Sequence, residues 1–175
     1  MEDLSLHILD ITENSVAARA NKIEIQITED TKTDVLSLEI IDNGVGMDED
    51  TTKKALDPFY TTKTVRRFGF GLSLLSEAAK ASNGSFSLES KKGKGTKIRA
   101  TFQLSHIDRQ PIGDMGQTVL TLILGNPEID FVYVHKKNGS EYILDTGEIK
   151  AQLKDIPLNA PEVLKFLKED LKNIP

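Results

Sequence analysis

The sequence predicts an α+β protein, and three patterns carry that expectation. Apolar and polar residues alternate at Ile23, Ile25 and Ile27, and again at Ile98, Ala100, Phe102 and Leu104, which is the period of a half-buried strand. Residues 4–20 follow a helical period instead, with Leu4, Ile8, Ile11 and Ala18 on one face of the wheel. Glycine-bearing turns, KKGKGT at 91–96 and Asn138-Gly139, join neighbouring strands into hairpins.

The 175 residues make one domain, or one domain with a substantial appendage, and allow a sizeable core. A net charge of -5 argues against a general nucleic-acid or anionic-membrane binder, which needs a basic face. The absence of cysteine excludes disulfides, thiolate metal sites and cysteine nucleophiles. No apolar run approaches the roughly 20 residues that span a bilayer. The N-terminal MEDLSLHILD is acidic, unlike a secretory leader, so a cytoplasmic protein is expected.

In the first helix Asp10 and Asn14 lie one turn apart on the flank of the apolar stripe, where polar side chains point into a cleft. An asparagine carbonyl there is a hard oxygen ligand suited to magnesium, and Asp10 is placed to orient a water towards a phosphate. The strand over 22–30 leads into a second apolar run, Val35, Leu36, Leu38, Ile40 and Ile41, which stops at Asp42. A carboxylate at a strand end accepts a hydrogen bond from the exocyclic amine of a base. The glycines that follow, Gly44 and Gly46, leave room for a flat ring. Asp48 is the expected cap of a short helix that ends before Pro58.

Residues 58–76 contain no acid but carry Lys63, Arg66 and Arg67, which invites an anion. They run through Gly69-Phe70-Gly71-Leu72 into a helix that stops at Asn83-Gly84. Glycines at a helix N-terminus offer free backbone amides and the positive dipole end to a phosphate. The cluster Lys91, Lys92, Lys94, Lys97 and Arg99 reads as a solvated hairpin, with Thr96 alone directed at the ligand. Beyond Ser105 the pattern gives a buried helix after Asp114, the hairpin around Asn138-Gly139, a helix over GEIKAQLKD and a last helix capped by Asn159. That helix presents Val163, Leu164, Leu167 and Leu171. This section is either an extension of the same sheet or a small second lobe.

Taken in order, the pieces resemble the GHKL superfamily of histidine kinases, gyrase-type topoisomerases, MutL-type ATPases and heat-shock chaperone ATPases. ENSVAARANKIEI resembles its asparagine box and DNGVGM its first glycine box. DPFYTTK with FGFGLSLL resembles a histidine-kinase lid and second glycine box, and GKGTKIRATF the final Gly-Thr strand. The resemblance covers about residues 4–104. SHIDR and GNPEIDFVYVHK look like a family of small stand-alone bacterial ATP-binding proteins.

The resemblance implies a two-layer α/β sandwich, the Bergerat fold, in which a mixed sheet is covered by helices on one face. Residues 1–104 would be the histidine-kinase-like ATP-binding domain, and 105–175 a C-terminal α/β extension offering a partner-binding surface. By the same resemblance Asn14 is the magnesium ligand, Asp42 the partner of the adenine amine, Gly44 and Gly46 the lining of the base, and Met47 its packing neighbour. Thr96 supports Asp42 through water. Gly69, Phe70, Gly71 and Leu72 attend the phosphates through backbone amides, with Lys63 reaching in from the lid. Topoisomerase and MutL members place a glutamate four residues before the magnesium asparagine, where this chain has the shorter Asp10.

The implied cofactors are ATP and Mg2+, and the implied activity is hydrolysis or transfer of the gamma-phosphate to a partner protein. The alternative is a non-catalytic, nucleotide-gated interaction switch. A dimerising helix hairpin with an acceptor histidine does not precede the motifs, so a kinase of this kind is expected to act in trans. His7, His106 and His135 are read as structural. A homodimer is compatible with the sequence.

Overall fold

The computed structural model describes residues 2–57, 59 and 68–175. Its elements run α1 (Leu4–Ala17), β1 (Lys22–Asp30), β2 (Val35–Asp42), α2 (Glu49–Lys54), α3 (Phe68–Ala81), β3 (Phe86–Lys91) and β4 (Gly95–Gln103). After these come α4 (Met115–Gly125), β5 (Asp130–Lys137), β6 (Ser140–Asp145), α5 (Thr146–Leu153) and α6 (Pro161–Asp170). The six strands form one sheet in the order β3-β4-β2-β1-β5-β6. Every neighbouring pair is antiparallel except β1 and β5, which run parallel with Ile25 opposite Tyr133. The section beyond Ser105 therefore adds its strands to the edge of the same sheet.

The alternation read in β1 and β2 is a consequence of burying one face. Ile23, Ile25, Ile27, Leu36, Leu38 and Ile40 are nearly inaccessible and pack in one core with Leu4, Ile8 and Ile11 of α1. A one-residue slip would expose that whole set, so the register is strongly specified. Each CH2 removed from water contributes about 0.8 kcal/mol, which makes these isoleucines the dominant local stabilisers.

Helix ends follow their local chemistry. Asp3, Asp48, Asp114 and Asp145 each accept a backbone N–H in the first turn of α1, α2, α4 and α5. Asn159 does not cap α6; the cap is Ala160, without a side-chain bond. Pro161 at the first turn has no N–H to satisfy and already holds the helical φ, so the helix starts without an asparagine. Helix α3 stops as expected, but the two turn residues divide the work. Asn83 adopts the left-handed φ of 53°, while Gly84 donates its N–H to Ala79 O at 2.8 Å. A Cβ on Gly84 would run into the Thr101 carbonyl of β4.

The turn at Asn138-Gly139 has positive φ at both residues, 48° and 90°, as a two-residue hairpin requires. Among the described residues, no helix is long and apolar enough to cross a membrane.

Candidate functional site

Antiparallel pairing sets Asp42, the last residue of β2, opposite both Ile23 of β1 and Thr96 of β4. Helix α1 crosses above this strand end, which brings its C-terminal half onto Asp42. Asp42 is 7% exposed, and both of its carboxylate oxygens are held: Ser15 Oγ donates to Oδ2 at 2.6 Å, and the Gly44 N–H donates to Oδ1 at 2.9 Å. A buried carboxylate is tolerated only with such donors. Each oxygen keeps lone pairs for one more donor from a ligand.

Next to Asp42 opens a cavity of about 320 Å3. Ile11, Ala18, Met47, Leu72 and Ile98 give it apolar walls, and Asp42, Asn14 and Thr96 supply convergent polar groups. That composition suits a flat, largely apolar heterocycle with an exocyclic amine. Gly46 lies at the wall with φ 66°, and a Cβ there would collide with the Lys91 carbonyl. Its conformation and its contact both demand glycine. Gly44 is buried against Ala18, whose carbonyl accepts the Val45 N–H at 2.9 Å.

Asn14, also expected at this site, is 6% exposed and lines the same cavity. Its amide nitrogen is buried without a hydrogen-bond partner among the described residues. An uncommitted buried amide is costly unless a ligand completes it. The unpartnered nitrogen is a donor and suits an acceptor such as a phosphate oxygen, while the side-chain oxygen is the atom that a magnesium ion would take.

Thr96 is at the cavity too, but its hydroxyl is 2.8 Å from Ser90 Oγ. Ser90 Oγ also accepts the Met47 N–H at 2.8 Å. Ser90 thus ties the β3–β4 hairpin to the Met47 loop, with Thr96 as its cross-strand partner. The contact to Asp42 that the sequence points away from is Ser15, whose only signal was its place next to Asn14 on the buried side of α1.

Asp10 is half-buried and stands outside this cavity, with its carboxylate against the Cα of Gly71 in α3. A Cβ at position 71 would overlap Asp10 Oδ2. Helix α3 already begins at Phe68, so Gly71 and Leu72 lie within it rather than ahead of it. The first three helical residues keep amides without intrahelical partners, and the fourth enters the ladder. By helix geometry Phe68, Gly69 and Phe70 are the residues whose amides have no partner within the helix, while Gly71 gives clearance to Asp10 and Leu72 forms cavity wall. Lys63, Arg66 and Arg67 lie outside the described residues.

The histidines have partners of their own. His7 Nε2 lies 2.9 Å from Gln110 Oε1, and burial holds its pKa below the ordinary 6.5. His135 bridges Tyr133 and Glu29 at 2.8 Å each, and His106 Nδ1 accepts the Asp108 N–H at 3.2 Å.

A family model described as histidine kinase-, DNA gyrase B- and HSP90-like ATPase matches residues 2–106. The sensor histidine kinase YxdK of Bacillus subtilis is 33% identical over 90 residues, which are 49% of this chain and 27% of the kinase. Two solved structures share the fold. The N-terminal domain of a DNA repair protein has a TM-score of 0.55 at 18% identity, over 83% of this chain and 53% of that one. The MutL ATPase domain of Aquifex aeolicus complexed with ADP has a TM-score of 0.50 at 16% identity, over 98% of this chain and 69% of that one. The chain spans about a quarter of the length of the matched kinase.

Proposed function

The chain belongs to the histidine kinase-, DNA gyrase B- and HSP90-like ATPase family, and from that premise we propose that it is a magnesium-dependent ATPase whose nucleotide sits in the cavity beside Asp42. The observation that carries this reading is a buried carboxylate, fully supported by Ser15 and Gly44, facing an apolar slot with the uncommitted amide of Asn14 at its wall. A structural aspartate would not need the slot, and a core asparagine would not be left without a partner.

In this reading Asp42 accepts the adenine N6 amine. Gly44 and Gly46 keep the backbone close to the ring, and Met47 packs on it. Asn14 would hold Mg2+ through its side-chain oxygen, and the bound cation would neutralise charge on the phosphates. The free amides of α3 at Phe68, Gly69 and Phe70 meet the phosphate chain, as the positive end of a helix does. Lys63 is the candidate side-chain cation from the lid, and Thr96 backs the Ser90 hydroxyl that keeps the adenine loop attached to the hairpin.

Asp10 lies on the same helix as Asn14, about 6 Å along its axis, and abuts the first turns of α3. A carboxylate there can take the proton of a water that attacks the terminal phosphorus, with ADP leaving. Hydrolysis is therefore the preferred reaction. The likeness to a sensor histidine kinase favours a second reading, transfer of the same phosphoryl group to a histidine of a partner protein. Residues 105–175 are the candidate contact surface for such a partner.

Gamma-labelled ATP and magnesium decide among these. Free phosphate that is lost in Asp10→Asn supports hydrolysis, and label on a second protein from an extract supports the kinase. Intact ATP that stays bound supports the nucleotide-gated switch. The absence of any heat on mixing with Mg-ATP or Mg-ADP would sink all three.

A further inference from the structure

Three side chains from three strands form one row at the cavity beside Asp42. Strand β3 pairs with β4 so that Ser90 stands opposite Thr96, and β4 pairs with β2 so that Thr96 stands opposite Asp42. Residues directly opposite each other in an antiparallel pair share a face of the sheet. All three therefore point to the side on which Ile40 and Ile98, two places along their strands, enter the core. Asp42 and Thr96 line the cavity, while Ser90 stands behind Thr96 and does not reach it.

The hydrogens of this row follow from counting donors. Ser90 Oγ has three neighbours: the Met47 N–H at 2.8 Å, the Gly95 carbonyl oxygen at 3.1 Å and Thr96 Oγ1 at 2.8 Å. The Met47 amide can only donate and the Gly95 carbonyl can only accept. A hydroxyl has one hydrogen and two lone pairs, so all three contacts are made at once in a single arrangement. Ser90 donates to Gly95 and accepts from both Met47 and Thr96. Were Ser90 to donate to Thr96 instead, the Gly95 contact would go unmade and one Ser90 lone pair would be idle, which is unfavourable in a part-buried place.

The Thr96 hydrogen is thereby taken up inside the protein, and its oxygen offers the cavity lone pairs alone. Asp42 offers the same, because a carboxylate whose oxygens already accept from Ser15 and Gly44 has no hydrogen to give. Two acceptors side by side match the two hydrogens of one exocyclic amine. A keto oxygen in the amine's place would set lone pairs against lone pairs, and a site built for a donor rejects such an analogue strongly.

Resting on the nucleotide reading above, we propose that Ser90 is a positioning residue that determines base specificity. By accepting the Thr96 hydrogen, Ser90 makes the seat receive an amine and refuse a keto group, although it touches no ligand itself. Without Ser90 Oγ the Thr96 hydroxyl is free to turn and donate into the cavity, which serves a keto oxygen. The loss of the tie to Met47 weakens both kinds of base alike, so the ratio of their affinities isolates the effect on Thr96.

Calorimetry of the full chain with ADP and IDP tests this. IDP carries a keto oxygen in place of the amine and a hydrogen on N1. Ser90→Ala should lower the preference for ADP over IDP by about tenfold. Thr96→Val, which removes the hydroxyl while keeping the shape, should lower it similarly, and adding Ser90→Ala to Thr96→Val should leave the ratio where it is. Equal weakening of both nucleotides in Ser90→Ala would reduce Ser90 to a loop tether and overturn the proposal. A ratio that rises would do so too, because it would place the Thr96 acceptor against N1. If Ser90→Ala fails to fold, a ratio unchanged in Thr96→Val overturns the proposal by itself. A native chain that binds neither nucleotide overturns the nucleotide reading along with it, whereas ADP preference untouched by both variants overturns the role of Ser90 alone.

Discussion

Ser15 Oγ donates a 2.6 Å hydrogen bond to Asp42 Oδ2, fastening helix α1 to the end of strand β2 in a buried setting. The bond fixes the rotamer of the acid that lines the cavity, so Ser15 acts on a ligand through Asp42. Ser15→Ala should weaken ADP binding by roughly tenfold, the usual loss for a hydrogen bond to a charged group. Calorimetry checks it; an unchanged affinity removes Ser15 from the seat. Asp42→Asn should erase the preference for ATP over GTP.

Asn14 should respond to metal rather than to the base. Asn14→Ala is expected to weaken Mg-ATP far more than ATP in chelator, because the amide oxygen is assigned to the cation. Equal losses under both conditions would take the metal away from Asn14.

Gly71 and Asp10 should behave as a pair. Gly71→Ala puts a methyl group where Asp10 Oδ2 lies, so it should lower the melting temperature and the turnover together. In Asp10→Ala/Gly71→Ala the stability should return, with a coupling of roughly 0.5–3 kcal/mol. Strict additivity of the two single effects would show that the contact is irrelevant.

The Tyr133–His135–Glu29 chain gives a graded expectation. Tyr133→Phe removes one neutral bond and should cost about 1 kcal/mol. His135→Phe leaves Glu29, 8% exposed, without its closest partner and should cost about 3 kcal/mol. Urea unfolding compares them, and a reversed ranking would mean that Lys137 alone satisfies Glu29.

His7 sets a pH dependence whose sign follows from its burial. Desolvation lowers its folded pKa below 6.5, against the opposing hydrogen bond to Gln110, so the unfolded chain binds a proton that the native state refuses. Its contribution is complete above pH 6.5 and declines as pH falls from there towards the lowered folded value. Urea midpoints at pH 7.5 and 5.5 should therefore fall more in the native sequence than in His7→Gln. Parallel curves would contradict it.

Much of the site was legible because its requirements are local. An apolar run ending in an acid, two glycines after it, and polar residues one turn apart on an amphipathic helix are patterns that neighbouring residues impose on each other. Asp42, Gly46, Met47, Asn14 and Thr96 all line or border one cavity for that reason. Ser15 was missed because a serine beside an asparagine carries no pattern of its own; only the crossing of α1 over β2 brings it to Asp42, 27 positions away. The cap of α6 was misassigned to Asn159 because side-chain propensity was weighed above the proline that makes a cap bond dispensable.

What the sequence determined alone was the periodicity: which segments are strands, which are helices, and which side of each is apolar. Those follow from the geometry of a residue and its neighbours three or four places away. Only the tertiary structure decided that β5 joins β1 in parallel, that Gly71 makes space for Asp10, and that Ser15 of α1 reaches Asp42 at the end of β2. Each of these depends on contacts between residues far apart in the chain, where no short-range preference selects one partner over another.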